Sequence, residues 1–436
     1  MLPVAKMSVE RYLVDVKYYA KWCLAIVLLS ALTGTAVALF LWLLDWVTIF
    51  HFNHQWLLYF LPLSGIAIYF AYHLLGKNAA NGTSLVLARM EADDTQVPAR
   101  MAPLVLVTTL VTLLFGGSAG REGTAVQMGA GVIAFMAKWI KFSEADFKLL
   151  LMAGMSAGFA AVFGSPITAM IFILEIVAIR SLAFKAVIPC LLAAFFADFV
   201  CTALGIHHTV YIINSPFESH FSLTHFSFDF MLFAKAALAG VVFGLVGWLF
   251  IFSSHGVKHF ANQFITTKWM QPVVGGLLII GLTLAIATRD YLGLGVSSSD
   301  PNAVTIVSSF IEGGASSFSW FWKLLFTVVT LSLGFKGGEV TPLFFIGAAL
   351  GNSIAVLFGA PVDLMAGLGF IAVFAAATNA PMACAVMGIE LFGVAHWPYY
   401  AVACLVAFWF SSSHSIYRTA GLEVWMKRVF SFSKST

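Results

Sequence analysis

Residues 158–176 read GFAAVFGSPITAMIFILEI, and residues 373–391 read VFAAATNAPMACAVMGIEL. Phe159, Ala160, Ala161, Pro166 and Glu175 match Phe374, Ala375, Ala376, Pro381 and Glu390 at one constant shift (381 − 166 = 390 − 175 = 215). Upstream, GREGT at 120–124 faces GGEVT at 337–341 at a shift of 217, which sets Glu122 against Glu339 and Thr124 against Thr341. Two separate matches in the same order read as a duplicated repeat, not as chance likeness of apolar text.

The surrounding text is that of a membrane protein. Of 436 residues, 61% are hydrophobic and 10% charged, with a mean hydropathy of +0.94. A soluble domain carries about 25% charged residues. Helices are therefore the expected spanning unit, which makes the chain an all-α polytopic membrane protein. The net charge of +3 rests on few charges, and no basic stripe interleaved with aromatics points to nucleic acid. Cys23, Cys190, Cys201, Cys384 and Cys404 are scattered in apolar runs at no metal-ligand spacing, and read as packing residues. No cofactor motif stands out, and neither does a nucleophile–base arrangement.

Apolar runs cover about 22–50, 56–76, 101–117, 124–140, 148–163, 167–204, 229–253, 272–288, 322–335, 341–358, 364–378, 381–395 and 398–411. Several fall short of the ~20 residues that cross a bilayer core, so they read as helices that enter the membrane and stop inside it. Residues 1–21 carry charges with no short apolar core ahead of them. They read as an amphipathic surface helix, not a cleaved signal. The remaining divisions are a first repeat at 22–205, a loop at 206–228, a second repeat at 229–417 and a short tail at 418–436. The loop holds His207, His208, His220 and His225 at irregular spacing, which reads as a solvated connection and not a metal site. Basic residues near the start, and Lys427, Arg428 and Lys434 near the end, place both termini in the cytoplasm of a multi-pass cell-membrane protein.

The chemistry concentrates at 116–131, GGSAGREGTAVQMGAG, where Arg121 and Glu122 lie among six glycines. Charge at membrane depth is costly and marks an ion or proton path. Glycines that break a helix there free backbone N–H groups for an anion. Glu122 beside such a helix start is stabilised when ionised. Once protonated and swung away, it frees the same N–H groups for an anion. A buried Arg121–Glu122 salt bridge is the structural alternative. Tyr417 follows the last apolar run, where its phenol reaches a pore or sits in an interfacial aromatic belt. Glu339 is either a group that takes part in transport when protonated or a cap on a half-helix. Phe344 and Phe345, just after the second motif, are candidates for ring-edge contacts to anions. Glu175 and Glu390 end equivalent helices and serve structure as readily as transport.

ANGTS at 80–84, GREGT at 120–124, FGSPITAMIFILE at 163–175, GGEVTP at 337–342 and SIYR at 415–418 together resemble the ordered motifs of the CLC family of anion channels and anion/proton antiporters. The resemblance runs from about residue 20 to Tyr417. It implies the CLC fold, with two inverted-topology repeats and re-entrant helices, and a homodimer with one pathway per subunit. It implies that Glu122 is gate and proton carrier; Glu339, read as its repeat mate, is the second candidate for gating and proton transfer. It further implies that Asn81, Gly82, Thr83, Arg121, Gly123, Val340, Thr341 and Tyr417 contact the anion. Asn81 stands where chloride members usually carry Ser, and GGEVTP replaces GxFxP. GREGT replaces GREGP, and Ile176 stands where chloride antiporters carry an internal proton-transfer glutamate. These departures resemble the family's fluoride/proton antiporter branch, although that branch commonly has Met where this chain has Thr83. The expected cargo is fluoride and protons, with chloride weakly. Fluoride is small and strongly hydrated, so the Asn81 amide and Thr341 hydroxyl suit it better than Phe or Pro. The rival readings are a chloride/proton antiporter or chloride channel on the same fold, an intramembrane enzyme using Glu122, and a purely structural membrane protein.

Overall fold

The computed structural model describes residues 2–91, 95–177, 180–214, 220–221, 226–227, 229–298, 300–411 and 415–417. Glu218, His225 and the tail from Arg418, with Lys427, Arg428 and Lys434, lie outside the described residues.

Helix α1 (Leu2–Asn53) runs without interruption. The expected boundary at residue 21 therefore marks no break: a helix already formed has no reason to stop where its surroundings change from polar to apolar. Then come α2 (Leu61–Ala71), α3 (Thr83–Glu91), α4 (Met101–Leu114), α5 (Glu122–Met136) and α6 (Glu144–Phe163). The apolar run 167–204 divides into α7 (Pro166–Val177) and α8 (Arg180–Ala203). The second half holds α9 (Phe230–Phe264), α10 (Met270–Ile286), α11 (Ser319–Ser332), α12 (Val340–Phe358), α13 (Val362–Thr378), α14 (Pro381–Phe392) and α15 (Trp397–Trp409). In the loop 206–228, residues 220–221 pair antiparallel with 226–227, the sole β-ladder among the described residues.

The duplication is physical. Helices α7 and α14 have 12 residues each and start 215 positions apart (381 − 166). Helices α4 and α11 have 14 residues each and start 218 apart (319 − 101). Helix α6 ends at Gly164 and α13 at Asn379, both left-handed, which releases the chain from the helix in the same way in each half. At 1.5 Å per residue, a 12-residue helix covers about 18 Å of a core about 30 Å thick, so neither α7 nor α14 is long enough to cross it.

The central helices meet through small residues. A Cβ on Gly129 of α5 would lie 1.9 Å from the Gly154 carbonyl oxygen of α6. In the second half, a Cβ on Gly347 of α12 would lie 2.0 Å from the Gly369 carbonyl oxygen of α13. Backbone against backbone is how helices gain contact where lipid supplies no hydrophobic drive. The core consequently runs through α6 and α13, buried along almost their whole length. Cys190, Cys201, Cys384 and Cys404 fill it as expected, while Cys23 is exposed on α1.

Glu175, near the end of α7, accepts from the Met382 and Ala383 amides at 3.1 and 2.7 Å. Glu390, near the end of α14, accepts from the Ile167 and Thr168 amides at 3.0 and 2.7 Å. Each glutamate caps the start of the other's helix. The two helices therefore run antiparallel, and a two-fold relation between the repeats follows from the exchange. That is the inverted-topology arrangement of two repeats that the resemblance implies, and it gives Glu175 and Glu390 a structural task.

Candidate functional site

The two glycine-broken motifs meet. Gly120 N donates to Gly338 O at 2.6 Å, and Gly338 N donates to Gly120 O at 2.8 Å, an antiparallel bridge between loops from opposite repeats. The approach leaves no room for side chains: a Cβ on Gly338 would lie 2.9 Å from Gly123 N, and one on Gly120 would lie 2.8 Å from Thr341 Oγ1. The bridge also fixes the repeat register. Its shift is 218 (338 − 120), not the 217 that pairs Glu122 with Glu339. Arg121 caps α5 as Glu339 caps α12, and Glu122 opens α5 as Val340 opens α12. Glu339 is thus the counterpart of Arg121. The sequence pairing erred because two glutamates in glycine text align by identity across a one-residue slip.

Glu122 is 1% exposed, and its carboxylate reaches across to the other repeat. Its Oε2 accepts from Thr341 N at 3.0 Å and from Arg121 N at 3.2 Å. Thr341 Oγ1 lies 2.7 and 2.6 Å from the two carboxylate oxygens. A carboxylate therefore sits on the Thr341 amide and hydroxyl at the start of α12, where helix dipole and unpaired N–H groups favour negative charge. In chemical terms it occupies the place of a bound anion. The Arg121 guanidinium comes within 3.6 Å of Glu122 through Nε, beyond hydrogen-bond length, so Thr341 is the stronger partner. Thr124 is turned away, with its hydroxyl 2.8 Å from that of Thr109 on α4.

Glu339 is half-buried and caps no amide with its side chain. Asn81 is exposed at the end of a 3-10 turn, Lys77–Asn81, and Gly82 follows with φ +56°. Thr83 opens α3 and accepts from Gln127 Nε2 of α5 at 3.4 Å. Gln127 joins the Gly82–Thr83 corner to α5. Sequence reading passed over it, although an amide in an apolar helix four residues after Gly123 is the kind of signal that identifies it. Gly123 lies in the first turn of α5 against Gly338, and Val340 is buried at the start of α12. Tyr417 is buried, held by the Ile416 amide on Ala377 O at 3.0 Å. Its ring meets Phe172 edge-on at 6.2 Å. From there Phe374 and Phe344 carry ring contacts onward to Phe370, stacked on Phe344 at 3.9 Å. Phe344 is in this aromatic column, whereas Phe345 turns toward Lys323 and Tyr291.

The structure thus brings Arg121, Glu122, Gly123, Val340 and Thr341 into one cluster. It places Asn81, Gly82 and Thr83 on a neighbouring loop tied to α5, and Tyr417 against the aromatic column. Lys336, three residues before Glu339, was also passed over. Its Nζ donates to Ala80 O at 2.9 Å, beside Asn81.

Residues 63–412 match the family model described as voltage gated chloride channel. The chain is 42% identical over 406 residues to a chloride/fluoride channel protein of Pseudomonas syringae pv. tomato, covering 92% of this chain and 86% of that protein. It is 26% identical over 337 residues to the voltage-gated ClC-type chloride channel ClcB of Salmonella typhimurium, covering 73% and 75%. Its fold superposes on the crystal structure of a CLC-type fluoride/proton antiporter with a TM-score of 0.83 at 33% identity, covering 92% and 97% of the two chains. A slow cyanobacterial Cl⁻/H⁺ antiporter shares the fold at a TM-score of 0.71 and 19% identity, covering 94% and 98%. The chain belongs to the voltage-gated chloride channel (CLC) family of multi-pass membrane channels and transporters.

Proposed function

We propose, with that membership as premise, that the chain exports fluoride across the cytoplasmic membrane in exchange for protons. The observation that carries this reading is the Glu122 carboxylate seated on the Thr341 amide and hydroxyl and the Arg121 amide. Protonation removes the charge that holds the carboxylate there. The seat is then open to an anion, and the proton has travelled on the gate itself. Gly123, Val340 and Arg121 shape this seat. Asn81, Gly82 and Thr83 form a second anion position, and Tyr417 supplies its hydroxyl to a central one. Glu339, half-buried and capping no amide of its helix among the described residues, is the second group that exchanges protons with water.

Fluoride is the cargo that fits. A short hydroxyl and a backbone amide give a small, strongly hydrated anion the strong donors it needs in place of its water. Support for fluoride comes from the names of the 42%-identical relative and of the superposed antiporter. The working unit is a homodimer with one pathway in each subunit, embedded in lipid with both termini in the cytoplasm. Residues 22–205 and 229–417 form the two repeats of that pathway, and 206–228 connects them. Residues 1–21, continuous with the first span in α1, lie on the cytoplasmic side, as do residues 418–436.

Efflux from liposomes containing the purified protein tests the proposal. Fluoride efflux well above chloride efflux, accompanied by counter-movement of protons, is expected. Equal rates would replace fluoride by chloride as the cargo, giving a chloride/proton antiporter. Anion flux without proton movement would make the protein a channel.

A further inference from the structure

The repeat symmetry identifies one side chain that the fold does not call for. In the first repeat, Ser118 N donates to Thr330 Oγ1 at 3.2 Å. In the second, Lys336 N donates to Thr112 Oγ1 at 3.3 Å. The shifts agree (336 − 118 = 330 − 112 = 218), so Ser118 and Lys336 hold equivalent places and make equivalent backbone bonds. The side chains diverge. Ser118 Oγ lies 2.9 Å from the hydroxyl of Thr327 on α11, in the other repeat. Lys336 does not take the equivalent partner, Thr109, which pairs with Thr124; its Nζ meets Ala80 O at 2.9 Å and lies 4.6 Å from the centre of the Tyr72 ring. The serine position shows that a short hydroxyl suits the loop's backbone bond, so a long ammonium at the equivalent place answers to something else.

Its surroundings say what. Ala80 precedes Asn81, and both are exposed, while Lys336 and Glu339 are half-buried. Among the described residues no carboxylate lies within salt-bridge distance of Lys336. One carbonyl bond uses one of the three ammonium donors, and a ring face holds a cation without neutralising it. Four residues before Lys336, Ser332 Oγ bonds Ser254 O of α9 at 3.1 Å, and exposed Lys258 lies one turn farther along α9.

We propose that Lys336 is a positioning and recruiting residue for the transported anion: it ties the Asn81 loop to the second repeat and keeps a fixed positive charge at the mouth where the anion first meets Asn81. This rests on the transport reading above. Lys336 takes no part in proton exchange. It sets how readily the anion arrives, so its loss acts on half-saturation and not on maximal rate.

The test uses full-length protein in liposomes, with fluoride efflux measured against fluoride concentration and ionic strength. Wild-type fluoride/proton exchange establishes the parent reading first. Its absence overturns that reading, independently of Lys336. Lys336→Met is expected to raise half-saturation about tenfold, the order set by one partly screened charge, with maximal rate changed less than about twofold. It should also flatten the dependence on ionic strength, while Lys336→Arg keeps the wild-type pattern. Should Lys336→Met not fold, Lys336→Cys in a Cys23→Ser background serves, modified either with aminoethyl methanethiosulfonate, which rebuilds an ammonium, or with the neutral methyl reagent. Recovery of half-saturation with the charged adduct alone supports the proposal. Equal recovery with both adducts overturns it, as does a Met variant with wild-type half-saturation and salt dependence.

Discussion

The starts of α5 and α12 are built on one plan and used for different purposes. Each follows a glycine-rich loop, each loop donates and accepts in the Gly120–Gly338 bridge, and each helix packs on its neighbour through paired glycines. At the capping position the first repeat has Arg121 and the second Glu339. At the first helical position the first has Glu122 and the second Val340. The carboxylate of Glu122 leaves its own helix and seats on the amide of Thr341 in the other repeat. Symmetry thus supplies two helix starts that converge. Its violation at four residues converts one start into a movable anion and the other into its receptor. The frame is duplicated, and the function lies where the copies differ.

The sharpest way to break this comparison is to remove the movable charge. Glu122→Gln keeps the shape of the side chain but cannot exchange a proton. Proton-coupled exchange should fall by at least about a hundredfold, the usual contribution of a proton-transfer group. Uphill fluoride movement driven by a pH gradient is the measurement. A variant that still pumps would mean that the two helix starts are not gate and receptor.

The receptor side should give a smaller loss. Thr341→Val removes the hydroxyl that lies 2.7 and 2.6 Å from the carboxylate oxygens but leaves the amide at 3.0 Å. One of the seat's donors is gone. A hydrogen bond to a charged group contributes about 1.5–3 kcal/mol, so fluoride half-saturation should rise by about tenfold or more. Chloride, a weaker hydrogen-bond acceptor, should lose less. The ratio of the two shifts, read from efflux titrations, tells whether the hydroxyl serves fluoride in particular.

Much of this frame was legible in the text, for physical reasons. A proline that starts a helix and a glutamate nine residues later recur as Pro166…Glu175 and Pro381…Glu390, because each glutamate must reach the other helix's first amides. Helix length then follows from geometry and survives sequence drift. The motif register was less legible. The backbone bridge that fixes it is made by main-chain atoms and leaves no side-chain signature beyond glycine. Lys336 and Gln127 were illegible as site residues, since their partners lie 256 and 44 positions away. The unbroken α1 was missed because a change of environment resembles a boundary in composition although the helix runs through it.

Glu339 tests whether the second capping position is more than a relic of the repeat. Its carboxylate caps no amide, so Glu339→Gln should leave folding and extraction unaltered. Transport should drop several-fold or lose its pH dependence, because a half-buried ionisable group that caps no amide of its helix has its use in changing charge. Wild-type rates across pH would return Glu339 to scaffolding. Failure to fold would mean that a structural bond, not a proton, keeps it there.

The mildest change asks how equal the two repeats are where the structure makes them equal. Glu175 and Glu390 each accept two amide bonds from the other's helix, at 3.1 and 2.7 Å in one case and 3.0 and 2.7 Å in the other. Gln in place of either keeps one acceptor oxygen and loses the charge, so about 1–2 kcal/mol of stability should go with each. The lengths predict that the two losses match. They also predict that the double variant loses close to their sum, since the two caps lie at opposite ends of the antiparallel pair and share no atom. Transport per folded molecule should stay at the wild-type level in all three variants, because neither carboxylate faces the Glu122 seat. Thermal unfolding in detergent beside efflux from liposomes separates the two effects. Unequal losses, or a transport defect confined to Glu175→Gln, would extend the asymmetry of the gate into the α7–α14 pair and make Glu175 part of the inner proton route for which Ile176 has no proton to offer.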